Sequence, residues 1–422
     1  MKVHIIGSGI IGLFSAYYLV KEGHELEIIE QYAGDDGCSF QNAGMITPSH
    51  FIPLATPGMV QKALKWMLDD ASPFYVKPRL DLSMLNWSWK FMQAANQRKV
   101  DEAMPILRDF LVASRAMYLN LEASKELDFD FEKKGLLLLC KTEHLLDDEI
   151  QVASKAHDLG MKAEIMDRAG VHKLEPEALP DVLGGVFYPD DSHCNPQKLV
   201  KSLKKFLLSK GVRFSYNTKV IDASFNGNTV DKLTLEDFKG EPSKIKVEKV
   251  VVAAGSWSEG LVKLFKLKIP MQAGKGYSFL QEQEVNKKIQ HPSILCEAKV
   301  AVTPFMDNRV RFAGTMELAG INPNIKKKRV KAIAKAGEDF YGEVKVPMPK
   351  DDDIWYGLRP CSPDGLPYIG KAKHLDNLVV ASGHAMLGIS LAPISGQMVS
   401  KLILEKNVSQ NIGLFDIHRF DK

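Results

Sequence analysis

The first thirty residues constrain this chain more than any other stretch. Residues 2–6 (KVHII) form a short apolar run that delivers Gly7, Gly9 and Gly12 in the spacing G-x-G-x-x-G. A strand that ends in this pattern makes a dinucleotide turn. The first glycine permits the bend, the second lets backbone approach a pyrophosphate, and the third lets the following helix pack on its sheet. Phe14, Ala16, Tyr17, Tyr18, Leu19 and Val20 make that helix apolar on its sheet side, Gly23 ends it, and residues 26–29 (LEII) return as a second strand. Glu30 follows, where a carboxylate accepts hydrogen bonds from a ribose 2′-hydroxyl and repels a 2′-phosphate. The expected ligand is therefore FAD or NAD, not NADP.

The rest of the composition mainly excludes. A chain of 422 residues has room for two cores, and 55 Lys and Arg against 52 Asp and Glu leave no basic stripe for nucleic acid. Cys38, Cys140, Cys194, Cys296 and Cys361 are odd in number and contain no C-x-x-C. They read as reduced thiols of a cytoplasmic protein, with neither a disulfide framework nor a metal site. Residues 377–400 carry no Asp, Glu, Lys or Arg, yet glycine, proline and serine interrupt them, which predicts a buried strand and helix and not a membrane span.

Along the chain, residues 34–44 form a loop of small and polar residues. It suits either a flavin-contacting segment or an ordinary solvent loop. Residues 45–97 mix prolines and aromatics with Lys62, Lys65, Lys77, Arg79 and Lys90. They read either as an internal cap or as a surface for a membrane or an electron-accepting partner. A helix is expected over 100–127, two helical pieces within 142–180, and a capped helix over 197–209 after Asn195 and Pro196. Strands are expected at 135–140, 184–189, 212–216, 220–225, 229–235, 249–254, 275–280, 298–304, 309–315 and 378–381, the 298–304 and 309–315 pair joined through Asp307 and Asn308. Residues 326–331 (KKKRVK) read as the solvated face of a helix, and a last helix follows Gly383.

These pieces resemble the D-amino acid oxidase superfamily of FAD-dependent oxidoreductases, and within it the bacterial D-amino acid dehydrogenases. The resemblance spans nearly the whole chain. It rests on GSGIIG (7–12) with Glu30, SFQNAGMITP (39–48), TPGMVQKALKWM (56–67), AAGSWS (253–258), GKGYSF (274–279), GLRPCSPDGLPYIG (357–370) and GHAMLGISLAP (383–393). It implies an α/β chain with a discontinuous Rossmann-like FAD-binding domain (1–50, 194–268, 345–422) and a mixed-sheet α+β substrate domain (51–193, 269–344). It also implies noncovalent FAD, because 383–393 lacks the cysteine through which some relatives tether flavin. On this reading Gly7, Gly9, Ile10, Ile11, Gly12, Glu30, Gln31, Ser39, Asn42, Ala43, Gly44, Val220, Ala254, Gly255, Gly383, Gly388 and Ile389 hold the cofactor.

The implied reaction is oxidative deamination, in which a neutral substrate amine loses its Cα hydride to flavin N5 and the imino acid hydrolyses to a 2-oxo acid and ammonia. Such a step asks for geometry and electrostatics more than for an acid or base. Arg359 suits a substrate carboxylate because its guanidinium is planar and always charged; a structural ion pair is the alternative. Tyr277 would donate to the same carboxylate, Lys275 would place charge near the flavin, and His50 would wall the substrate pocket. A helix N-terminus at Gly383–Ile389 would face the flavin N1 and C2 carbonyl. Alternatives are a cyclic secondary D-amino acid such as D-proline, glycine or sarcosine as substrate, or a redox-inert flavin scaffold. The acceptor is expected to be a quinone or another electron carrier and not oxygen, with peripheral contact to the inner face of the cell membrane.

Overall fold

A computed structural model describes residues 1–422 except 36, 60, 62–71, 78, 80, 409–411 and 422. Two sheets organise it. The nucleotide sheet has the spatial order Tyr368–Lys371, Leu378–Ser382, Lys249–Val252, Lys2–Ile6, Glu25–Ile29, Arg213–Ser215. Its strands run parallel except the edge strand Tyr368–Lys371. Parallel strands buried on both faces favour near-continuous apolar runs, which KVHII, LEII, KVVV and LVVAS largely supply. On one face Val3, Ile5, Val251 and Val379 pack under the helices Ile10–Lys21, Pro196–Ser209 and Gly388–Ile403. On the other, Ile6, Val250, Val252 and Val380 meet Val220, Leu233 and Leu235 of a three-stranded antiparallel sheet.

The second sheet has nine strands, with the order Trp355–Cys361, Gln272–Glu282, Arg309–Leu318, Val300–Pro304, Ser293–Leu295, Leu136–Cys140, Gly184–Tyr188, Glu164–Asp167, and Phe74–Val76 paired to Arg309–Leu318. Its two faces differ. Tyr277, Phe279, Phe312 and Val302 face the amphipathic helix Lys327–Tyr341 through Val330, Ile333 and Phe340. Leu136, Leu138, Val186 and Tyr188 face the long helix Gln97–Ser124 and Phe51. The sheet roofs the C-terminal ends of the nucleotide strands: Ser278 Oγ donates to the carbonyl of Gln41 at 3.2 Å, and Ser256 Oγ to that of Leu358 at 2.8 Å.

The strand Trp355–Cys361 pairs with Gln272–Glu282, so it belongs to the roof and not to the nucleotide sheet that follows it in sequence. A boundary at residue 345 therefore falls too early at the level of sheets. The short strands Met45–Ile46, Glu164–Asp167, Ser192–His193, Pro242–Lys246 and Ser293–Leu295 carry too few residues to show a period of two in sequence.

Three histidines, His4, His50 and His384, are held neutral by burial. His4, in the first strand, has its pKa lowered to about 4, and His384, whose Nε2 meets Ser395 Oγ at 2.9 Å, to about 3. Below pH 6.5 the unfolded chain takes up protons here that the folded chain refuses. This contribution to stability is complete above pH 6.5 and lost as pH falls, by about 1.4 kcal/mol per pH unit per histidine. His384→Asn is expected to flatten the fall in urea midpoint between pH 7 and 5. An unchanged slope would show that His384 does not carry it.

Candidate active site

A cavity of about 1160 Å³ runs along the C-terminal ends of the nucleotide strands, larger than the ~300–1,000 Å³ of most small-molecule pockets, as a dinucleotide requires. Its wall begins at the glycine turn. Gly7 has φ +111°, and a Cβ there would come within 2.5 Å of the Ala253 carbonyl oxygen. Gly9 opens the helix Ile10–Lys21 without a side-chain cap, so this N-terminus presents its N–H groups to the cavity; Ser39 Oγ accepts from Ile10 N at 3.1 Å. Glu30 also lines it. One carboxylate oxygen accepts from Ser8 N and Ser8 Oγ at 2.8 and 2.9 Å, the other from Tyr32 N at 3.1 Å. Gln31, Asn42, Val220, Ala254 and Gly255 complete the nucleotide side.

At the far end Gly388 and Ile389 line the same cavity, at the start of the uncapped helix Gly388–Ile403. Two helix N-termini thus converge on one space, a favourable place for the negative charge of a pyrophosphate or of a reduced flavin. These residues fit FAD. Four expected residues stand behind the wall instead. A Cβ on Gly12 would overlap the carbonyl oxygen of Gly7, so Gly12 serves helix packing. Gly44 (φ +80°) packs on the backbone of Cys194, Gly383 (φ +80°) on the ring of Tyr368, and Ala43 is absent from the cavity wall.

The roof closes the cavity with Trp355, Tyr356, Gly357, Leu358 and Pro360. Arg359 reaches from this strand across its neighbour: its guanidinium lies over Gly276, where a Cβ would overlap it, and Nη1 donates to the Thr315 carbonyl at 2.7 Å. Among the described residues no carboxylate forms an ion pair with it. Arg359 is half-buried, its charge is felt by the cavity-lining Cys38, and a Cβ on Gly357 would lie 3.0 Å from the Cys38 Sγ. Arg359 itself is not part of the cavity wall, which its neighbours Leu358 and Pro360 line; its guanidinium sits on the roof face that carries Gly276, beside the cavity.

Tyr277 and Lys275 are not brought to Arg359. The register pairs Gly274 with Arg359 and Tyr277 with Tyr356, which puts Lys275 and Tyr277 on the opposite face. The Tyr277 hydroxyl contacts Glu317 Oε2 at 3.2 Å and accepts from Lys326 N at 3.2 Å, inside the outer core. Lys275 is fully buried, with Nζ donating to Asn322 Oδ1 and, at 2.7 Å, to the Asn324 carbonyl. Neither lines the cavity, and both lie on the strand face opposite the Arg359 guanidinium, so neither joins it on one carboxylate. His50 is likewise off the cavity wall: its Nδ1 meets Ser49 Oγ at 3.1 Å, and Ser49 N donates to the buried Asp191 at 3.1 Å.

Sequence reasoning missed Cys38, Gln41, Trp257, Asn322 and Trp355, all of which line the cavity. Cys38 and Gln41 lie inside the quoted 39–48 region or next to it and could have been found by continuity; Asn322, in a loop returning from the roof, left no local signal.

The family profile described as DAO, FAD dependent oxidoreductase, matches residues 2–402. A D-amino acid dehydrogenase of Vibrio atlanticus is 33% identical over 431 residues, covering 100% of both chains. Among solved structures, a glycine oxidase from Geobacillus kaustophilus superposes with a TM-score of 0.77 at 21% identity, over 99% of this chain and 98% of that one. An L-proline dehydrogenase from P. horikoshii gives 0.74 at 16% identity, over 100% and 97%. The structural likenesses establish the shared fold.

Proposed function

The chain belongs to the DAO family of FAD-dependent oxidoreductases, and from that premise we propose that it is a D-amino acid dehydrogenase that yields a 2-oxo acid and ammonia. The observation that supports this reading is Arg359: a guanidinium beside a cavity suited to FAD, held by one carbonyl and in no ion pair among the described residues. Such a fork takes a carboxylate in two parallel hydrogen bonds and so fixes which face of Cα meets the cofactor.

FAD, when bound, supplies the electron sink. The protein's part is to hold the carboxylate at Arg359, to keep the site dry beneath the roof, and to leave the amine without a fixed acid nearby. His384, in the cavity wall, is neutral near pH 7. The test is product analysis with a dye acceptor against D- and L-alanine, D-proline and glycine. Ammonia and a 2-oxo acid from D-alanine support the reading; turnover of glycine alone would replace it.

The acceptor and membrane reading draws its support from the helix Leu82–Ala94. Met84, Trp87 and Phe91 are buried inward, with Trp87 Nε1 donating to the Cys361 carbonyl at 2.9 Å. Leu82, Leu85, Trp89 and Met92 point outward at 84%, 57%, 60% and 48% exposure, an apolar stripe at helical spacing. The stretch 51–91 thus divides. Phe51, Trp87 and Phe91 belong to an internal cap, the stripe faces outward, and Lys62, Lys65, Trp66 and Met67 lie outside the described residues. Among the described residues no helix is long and apolar enough to cross a membrane, so we propose attachment to the bilayer surface through the stripe, with a quinone as acceptor. The protein should sediment with anionic vesicles, and Leu85→Ser with Trp89→Ser should return it to the supernatant. Wild-type protein that stays in the supernatant would sink this.

A further inference from the structure

Arg311 is a buried charge that forms no ion pair among the described residues. It stands on the inner face of the roof at 1% exposure, its Nη1 donates to the Asn42 carbonyl, and its Nε has no partner. Among the described residues no carboxylate pairs with it. Asp307, in the preceding turn, is already held by Arg309 at 2.5 Å. Thr303, its neighbour across the ladder, is also fully buried with an unpartnered hydroxyl. The Phe305 ring lies 5.3 Å from the guanidinium, a weak compensation for a desolvated cation. Burial, with the nearby charge of Arg309, holds its pKa down to about 9.

An unmatched guanidinium is costly to bury unless an anion completes it. Its contact, Asn42, is a residue of the FAD cavity wall, as is Gln41, which the roof grips through Ser278. We propose that Arg311 is the positive charge matched by the bound dinucleotide, acting through the Asn42 edge of the cavity on either the pyrophosphate or the reduced flavin ring. It is a positioning and electrostatic residue, distinct from Arg359, which lies over Gly276 and contacts Thr315.

The test compares wild-type holoenzyme with Arg311→Lys, which keeps the charge, and Arg311→Gln, which keeps a donor for Asn42 and loses the charge. Two readings are taken: the dissociation constant for oxidised FAD and the two-electron midpoint potential. The proposal expects Arg311→Gln either to bind FAD about tenfold more weakly or to fall in potential by about 30 mV, the tenfold equivalent for two electrons. Arg311→Lys should stay near wild type. A loss in affinity places the anion at the pyrophosphate, a loss in potential at the ring. The proposal is overturned if Arg311→Gln matches wild type in both readings, or if Lys and Gln are equally impaired, since the Asn42 contact alone would then matter. A wild-type protein that retains no FAD would instead overturn the cavity assignment.

Discussion

Arg359→Lys is expected to lower kcat/KM for the amino acid by about ten- to a hundredfold while the protein stays folded and yellow. The ammonium keeps the charge but loses the fork, and a charge-assisted hydrogen bond of this kind is worth roughly 1.5 to 3 kcal/mol. A second substitution tests the same geometry at a position that touches no substrate. Gly276→Ala would place a methyl group where the guanidinium now lies, and the flexible side chain would swing away while the sheet stays intact. It should reproduce much of the loss, with KM rising more than kcat falls. Unchanged kinetics in both variants would move the carboxylate site elsewhere.

Gly7→Ala should have the larger effect. The added Cβ would stand 2.5 Å from the Ala253 carbonyl oxygen, a backbone atom fixed by the parallel pairing of the first strand with Lys249–Val252, at a φ of +111° that an L side chain rarely adopts. Backbone strain of this kind costs about 1–3 kcal/mol before the overlap is counted. The overlap lies at the mouth of the pyrophosphate site, so the expected protein is colourless and poorly soluble. Flavin absorbance per protein after purification checks this; a yellow variant with wild-type flavin content would mean that the turn is more plastic than its contacts imply.

The nucleotide half of the fold was legible in the sequence because its signals are local. The glycine spacing, the acid at Glu30 and the apolar runs each sit within a few residues of the structure they specify; the helix over 197–209 declares itself by its cap and the helix after 383 by its composition. The roof was legible as strands but not as a sheet. Whether Tyr277 shares a face with Arg359 depends on the pairing of Gly274 with Arg359, a contact between segments 85 residues apart in sequence. A shift of one residue would have exchanged the faces. The same non-local pairing moved Trp355–Cys361 into the roof, and the separate faces of Leu82–Ala94 explain why one stretch reads both as a cap and as a surface.

This FAD-binding site is expected to take reducing equivalents from a D-amino acid. The most direct measurement is anaerobic mixing of the purified holoprotein with D-alanine and, separately, L-alanine, following flavin absorbance. The D-enantiomer is expected to bleach the flavin, the L-enantiomer to leave it oxidised, and Arg359→Lys to slow the bleaching. A flavin that stays oxidised with D-alanine and with every other D-amino acid, or that L-alanine bleaches faster, would contradict this expectation.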